Sequence, residues 1–186
     1  MTSACALLAR VLLLPGWLNS DPAHWQSRWE ALHGHIRVGQ DDWLWPRRGD
    51  WMARLDEAIQ EAGTPAVLVA HSLGCQLVAA WAAHSRHTVH VACAMLVAPP
   101  DTERADMPPN LFSWRPIVRQ RLPFASLVVT SSDDPYCAPE RAAQMAADWG
   151  SARVGIGARG HINGESGLGD WPEGRAWLRA LVARAG

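Results

Sequence analysis

No Cys-x-x-Cys pair, no basic run and no apolar stretch of the roughly 18 residues that span a bilayer occurs in this 186-residue chain. The four cysteines, Cys5, Cys75, Cys93 and Cys137, are scattered. Their spacing excludes a zinc-binding set and a disulfide framework, and leaves buried free thiols in a reducing compartment. The formal net charge is −1, so neither nucleic acid nor a membrane surface is indicated as a partner. The apolar run Met1–Leu14 has no positive leading region, is interrupted by Arg10, and runs into Pro15-Gly16-Trp17 rather than a small-residue cleavage site. It reads as leading into a buried first strand and not as a signal peptide, so the expected location is cytoplasmic. Internal repeats, low-complexity tracts and an interdomain linker are also missing. Phenylalanine and tyrosine are scarce, two and one, against eleven tryptophans. Most of those tryptophans are expected in the core, and some in a pocket wall.

What is present is an ordinary globular composition, 48% hydrophobic and 19% charged. The length suits one domain, residues 1–186, with a substantial core. Short apolar runs at 10–14, 35–38, 66–70, 90–97, 125–131 and 152–156 read as strands. Helical spacing connects most of them. Asp21-Pro22 reads as a helix start with Trp25, Trp29 and Leu32 facing the core. Asp50 is expected to cap a helix to Ala62 carrying Trp51, Leu55 and Ile59. Pro139 to Trp149 is a helix ended by Gly150. Asp170 with Glu173 reads as the capping box of the last helix, where Trp177, Leu178 and Leu181 supply apolar contacts. Residues 98–121 hold five prolines and read as a long loop with one helical turn. Strands alternating with helices predict an α/β fold: a mainly parallel sheet of about five to six strands, helices on both faces and no large lid domain.

Ligands of such a sheet sit at the carboxyl ends of its strands. The strand at 66–70 leads into Ala70-His71-Ser72-Leu73-Gly74, a strand–turn–helix resembling the nucleophile elbow G-x-S-x-G, with Ala in place of the first Gly. Bulk at Ala70 or Gly74 would collide where strand and helix pass close to the serine. The strand at 125–131 leads into Ser132-Asp133-Asp134-Pro135, and the last strand into Gly157-Ala158-Arg159-Gly160-His161. The order Ser, Asp, His is that of α/β-hydrolases. A serine hydroxyl needs a base as it attacks a carbonyl, so Ser72 is the expected nucleophile and His161 the expected base and acid. An aspartate fixes the imidazole tautomer. Asp134 is preferred, because the loop turns at once at Pro135; Asp133 then becomes a turn or capping group. The oxyanion needs donors, and the backbone N–H groups of Leu73 and Trp17 are the candidates.

These stretches, with Leu14-Pro15-Gly16-Trp17 and His24-Trp25 before them and Tyr136 and Ile162-Asn163 after, resemble the small serine hydrolase family. It belongs to the α/β-hydrolase superfamily and is typified by retinoblastoma-binding protein nine and the bacterial YdeN-like proteins. The resemblance runs from about Val11 to Leu181. It implies an acid immediately before the proline, which is Asp134 here, and a minimal hydrolase core with no metal and no cofactor. It does not extend to binding the retinoblastoma protein. The nearest stretch to L-x-C-x-E, Leu73-Gly74-Cys75-Gln76-Leu77, ends in Leu.

Each candidate has a plainer reading. Ser72 could be an ordinary turn serine and His161 a surface histidine. His24 is a rival base, although it reads better as a packed residue in the first turn of a helix. His71 reads as structural, or as a substrate contact beside the serine. Asn163 and Glu165 are substrate contacts or loop-stabilising groups. Trp17 is a candidate substrate contact, and Trp17, Trp43, Trp45 and Trp114 are candidate pocket walls, with core packing the plainer reading for any single one. Cys75 and Cys137 have no base paired with them, so thiol catalysis is not indicated. The expectation is a carboxylesterase-like serine hydrolase acting on a small-molecule ester, or a thioester or amide, through an acyl-enzyme on Ser72. The alternative is a non-catalytic binding or scaffold protein on the same fold. No heptad sets an oligomeric state. Substrate choice is expected in the loops 19–24, 40–48 and 98–121.

Overall fold

The computed structural model describes residues 9–63 and 65–186. Cys5 and most of the N-terminal apolar run lie outside the described residues. Among the described residues, β1 (Arg10–Leu14), β2 (Ile36–Arg37), β3 (Ala66–His71), β4 (Val91–Val97), β5 (Ala125–Thr130) and β6 (Ala152–Gly155) form one sheet in the order β2-β1-β3-β4-β5-β6. Every pairing is parallel. The helices are α1 (Trp25–His33), α2 (Arg48–Ala62), α3 (Leu73–Ala82), α4 (Pro139–Trp149) and α5 (Pro172–Ala185).

Both faces of the sheet are covered, which is why its central strands are continuous apolar runs rather than alternating ones. Leu12, Leu14, Leu68, Ala70, Ala94 and Leu96 pack against α2, α3 and α4. The residues between them, Leu13, Val67, Val69, Cys93, Met95 and Val97, pack against α1 and α5. The first strand among the described residues, β1, lies inside the sheet; the chain then adds β2 on one side and crosses back to β3 on the other. The winding therefore reverses between β1 and β3, where an open α/β sheet holds its ligand. The Leu14–Ala70 pairing sets the ends of these two strands side by side.

The 98–121 segment makes the β4 to β5 crossing without an α-helix; its one helical stretch is a 3₁₀ turn, Pro109–Trp114. Leu111, Trp114 and Ile117 tuck it into the core beside α2 to α4. Glu103 anchors it, accepting from the Ile117 N–H and pairing with Arg119 and with Arg141 of α4.

Three helix starts differ from the sequence expectation. Helix α1 begins at Trp25, not after Asp21: the Asp21 carboxylate accepts from the Ala23 and His24 N–H groups and closes a turn of its own. His24 then caps α1, its Nδ1 accepting from the Gln26 N–H at 3.1 Å. Helix α2 begins at Arg48, two residues ahead of Asp50's cap position, because the Arg48 N–H finds the Ser113 hydroxyl from the 98–121 segment. The capping box at α5 does not form. Trp171 occupies the cap position in a left-handed conformation, and the Asp170 carboxylate pairs with Arg28 at 2.5 Å instead. Leu32 also departs from expectation. The buried stripe of α1 ends at Trp29, and Leu32 is 55% exposed. No helix among the described residues is long and apolar enough to cross a membrane.

Candidate active site

Ser72 lies between β3 and α3 with φ 53° and ψ −124°, a backbone region costly for any residue but glycine and persisting only where the surroundings enforce it. The enforcement is visible. The Ser72 N–H donates to the Val97 carbonyl of β4, and the Ser72 carbonyl accepts from the Cys75 N–H of α3. A Cβ on Gly74 would strike the Leu14 carbonyl oxygen, so α3 can start this close to β1 only with glycine there. Ala70, fully buried, is the small residue on the strand side.

The Ser72 hydroxyl donates to His161 Nε2 at 2.7 Å. His161 Nδ1 donates to both oxygens of Asp134, at 2.9 and 3.0 Å. The carboxylate can only accept, so Nδ1 carries a proton and Nε2 is the nitrogen that faces the Ser72 hydroxyl. The Asp134 side chain is only 4% exposed and that of His161 10%. Asp134 also accepts from the Tyr136 N–H, which holds the carboxylate in its turn. The Tyr136 ring stands edge-on to the imidazole, centroids 4.6 Å apart. The structure thus brings together Ser72, Asp134 and His161 from three strand ends. Asp133 points elsewhere: it accepts from the Ser131 hydroxyl and, at 2.7 Å, from the Gly160 N–H, bracing the loop that carries His161. Those hydrogen bonds, led by the one from Ser131, hold its carboxyl below the usual aspartate range.

Trp17 and Leu73 flank the serine. Leu73 is the first residue of α3, so its N–H belongs to the helix end whose amides have no partner within the helix. Neither the Leu73 nor the Trp17 backbone N–H has an acceptor among the described residues. The loop before Trp17 passes hard against Ser72: a Cβ on Gly16 would sit 2.7 Å from Ser72 Cβ and 3.1 Å from its Oγ.

A cavity of about 790 Å³ opens over this group. Trp17, Leu18, Met107, Leu111 and Tyr136 form much of its wall. Arg104 and Asp106 also face it, but pair with each other at 2.6 Å, and Arg104 donates to the Pro135 carbonyl as well. Of the four tryptophans singled out from sequence, Trp17 alone is in the wall. Trp114 is core, Trp43 packs on Trp51, and Trp45 is exposed. The 40–48 loop supports the wall from behind, its Leu44 carbonyl accepting from Trp17 Nε1. Asn163 lines the cavity, while its side-chain oxygen caps the short turn at 164–166. Glu165 does not line it.

His71 reaches the cavity edge, but both its ring nitrogens are engaged by the protein, one with the His161 carbonyl and one with His24. It has no polar atom left for a substrate. His24 is equally unsuited as a rival base: it is buried, and that burial lowers its pKa to about 4. Burial raises the Cys75 thiol well above its ordinary value and pushes Cys137 up to about 12, so both are held as thiols. Sequence reasoning missed the close approach of Gly16 to Ser72, the Tyr136 ring against the His161 imidazole, and the bond between His24 and His71. The adjacency of Gly16 to Trp17 was the available signal for the first.

The serine hydrolase family model matches residues 11–180. The chain belongs to that family. Membership makes it a hydrolase, and solved structures agree on the fold. A YdeN-like hydrolase from Pectobacterium atrosepticum is 29% identical, with 95% of this chain and 92% of that one covered and a TM-score of 0.84. The ydeN gene product from B. subtilis is 19% identical, with 93% and 98% covered and a TM-score of 0.70. An esterase from Rhodococcus, 15% identical over 95% and 92% of the two chains, shares the fold at a TM-score of 0.65. No curated protein sequence matches the chain.

Proposed function

We propose that the protein hydrolyses small carboxylic esters through an acyl-enzyme on Ser72. The observation that carries this reading is the unbroken hydrogen-bonded line from Asp134 through His161 to Ser72, ending at a serine on a strained turn. In the reaction, Ser72 Oγ attacks the ester carbonyl carbon as His161 Nε2 takes its proton. Asp134 stabilises the imidazolium that forms. The carbonyl oxygen, now negative, accepts from the Leu73 and Trp17 N–H groups, each such donor being worth about 10²–10³ in rate. Collapse expels the alcohol, which takes the proton from His161. Water, deprotonated by the same imidazole, then releases the acid and frees Ser72. The largely apolar wall and the mutually neutralised Arg104–Asp106 pair suit an uncharged acyl group. Thioesters and amides would follow the same steps. The buried free thiols Cys75, Cys93 and Cys137 support a reducing, cytoplasmic setting.

The test is intact-mass analysis after a fluorophosphonate probe, with peptide mapping. One adduct, on Ser72, is the expected result. A folded protein that takes no label would overturn the esterase reading in favour of a binding protein.

Gly16 supplies a second prediction. An added methyl must displace either the Trp17 amide or the serine, so Gly16→Ala should lower kcat/KM on p-nitrophenyl butyrate by about 10²-fold. Steady-state kinetics check it; a variant within threefold of wild type would show that the loop shifts freely.

A further inference from the structure

We propose that His24 and His71 are positioning residues for His161, acting as a buried, one-way relay of hydrogen bonds that fixes the turn presenting the imidazole to Ser72. The proposal rests on the reading of His161 as the base.

The relay has three links. The Gln26 N–H donates to His24 Nδ1 at 3.1 Å. His24 Nε2 meets His71 Nδ1 at 3.3 Å. His71 Nε2 meets the His161 carbonyl oxygen at 2.8 Å. The two ends set the direction. A backbone N–H can only donate, so His24 Nδ1 is bare and its proton is on Nε2. A carbonyl oxygen can only accept, so the His71 proton is also on Nε2 and its Nδ1 is bare. The middle link is then a donor facing an acceptor, and no other arrangement of protons satisfies all three. A second proton on either ring would set donor against donor. Burial works the same way: the residues are 3% and 5% exposed, and desolvation holds His71 far below, and His24 at about 4 against, the ordinary histidine value.

What the relay holds is a turn that needs holding. Ile162, next after the base, is β-branched, fully buried and at φ 50°, a conformation that survives only when over-determined by its surroundings. Its carbonyl accepts from Trp25 Nε1 at 2.9 Å. Two successive carbonyls, of His161 and Ile162, thus take buried donors, one from β3 and one from α1. His71 is also the residue directly before Ser72. The relay therefore ties the backbone of the base to the strand that carries the nucleophile, independently of the Ser72–His161 bond itself.

The experiment compares His71→Leu, His71→Gln and Trp25→Phe with wild type on p-nitrophenyl butyrate, alongside thermal melts and the rate of fluorophosphonate labelling. In His71→Leu, kcat and the labelling rate should both fall about 10- to 100-fold, the scale of a roughly 1 Å misplacement, with KM within twofold. His71→Gln, whose side-chain amide can still donate to the His161 carbonyl, should recover most of the loss. Trp25→Phe, which keeps a ring but loses the donor, should show a smaller fall of the same kind. In the wild type, ¹⁵N shifts should report both rings neutral with the proton on Nε2 at pH 7. Wild-type kcat in His71→Leu, equal losses in the Leu and Gln variants, or a doubly protonated His71 at pH 7 would each overturn the relay. If His71→Leu does not fold, the Gln variant and the ¹⁵N tautomers decide. The two readings fail separately: an unlabelled wild type removes the role of Ser72, whereas a labelled wild type with unchanged His71→Leu kinetics removes the relay alone.

Discussion

Alanine in place of Ser72 should cut ester hydrolysis by at least about 10⁴-fold and leave the melting temperature where it was. The two halves of that result have separate causes. The Ser72 hydroxyl makes one hydrogen bond in the structure, with His161 Nε2, so its removal takes away the proposed attacking atom and nothing that holds the fold. The strained backbone at φ 53° is as accessible to alanine as to serine, and the backbone bonds to Val97 and Cys75 do not involve the side chain. What remains in the variant, on the proposed mechanism, is the pair of amides beside an inert methyl group, able to bind a carbonyl but not to attack it. Steady-state assays on p-nitrophenyl acetate and butyrate with parallel melts measure both halves. Turnover persisting in a homogeneous Ser72→Ala preparation would mean the reaction runs elsewhere.

The second large effect separates two adjacent aspartates. Asp134→Asn should lower kcat by about 10³–10⁴-fold, because an amide facing His161 Nδ1 favours the tautomer whose proton points at the Ser72 hydroxyl. Asp133→Asn should stay within about an order of magnitude of wild type, since an asparagine oxygen can still accept from Ser131 and Gly160. Measured together on one substrate, the pair is its own control for surface charge and for loop disturbance. A dead Asp133→Asn beside an active Asp134→Asn would reverse the assignment of the acid.

The parts of this molecule legible in its sequence are those set by strong local signals. Val67 to Ala70 and Cys93 to Val97 are apolar without interruption because the sheet is covered on both faces, and such runs read directly as strands. Once strands are known, the residues at their carboxyl ends are known, which is how Ser72, Asp134 and His161 can be picked out. The cap positions were less legible for a physical reason. Asp21, Asp50 and Asp170 each fit a local rule, but tertiary partners compete for the same groups: Arg28 takes Asp170, Ser113 meets the start of α2, and His24 takes the cap that Asp21 would have held. The tryptophans show the same limit. Trp17 and Trp114 have similar chemistry in the sequence, yet one lines a cavity and the other lies in the core, because burial depends on what the other elements bring. The link from Gln26 to His161 joins α1, β3 and the loop after β6, and no spacing rule connects residues so far apart.

The position of β1 and β3 as neighbours has a consequence for how the protein acquires its activity. Along the chain they are separated by α1, β2 and α2, so their pairing closes a long loop and has to wait until those elements have been synthesised. On the ribosome the Pro15–Trp17 loop emerges early and must wait for Ser72, and both must wait for His161, which follows the last strand. No fragment of the chain that stops before His161 contains the full proposed set of groups. Hydrolysis is therefore expected only once His161 has been made and its loop seated, and a chain that stops or unravels short of that point is expected to be silent.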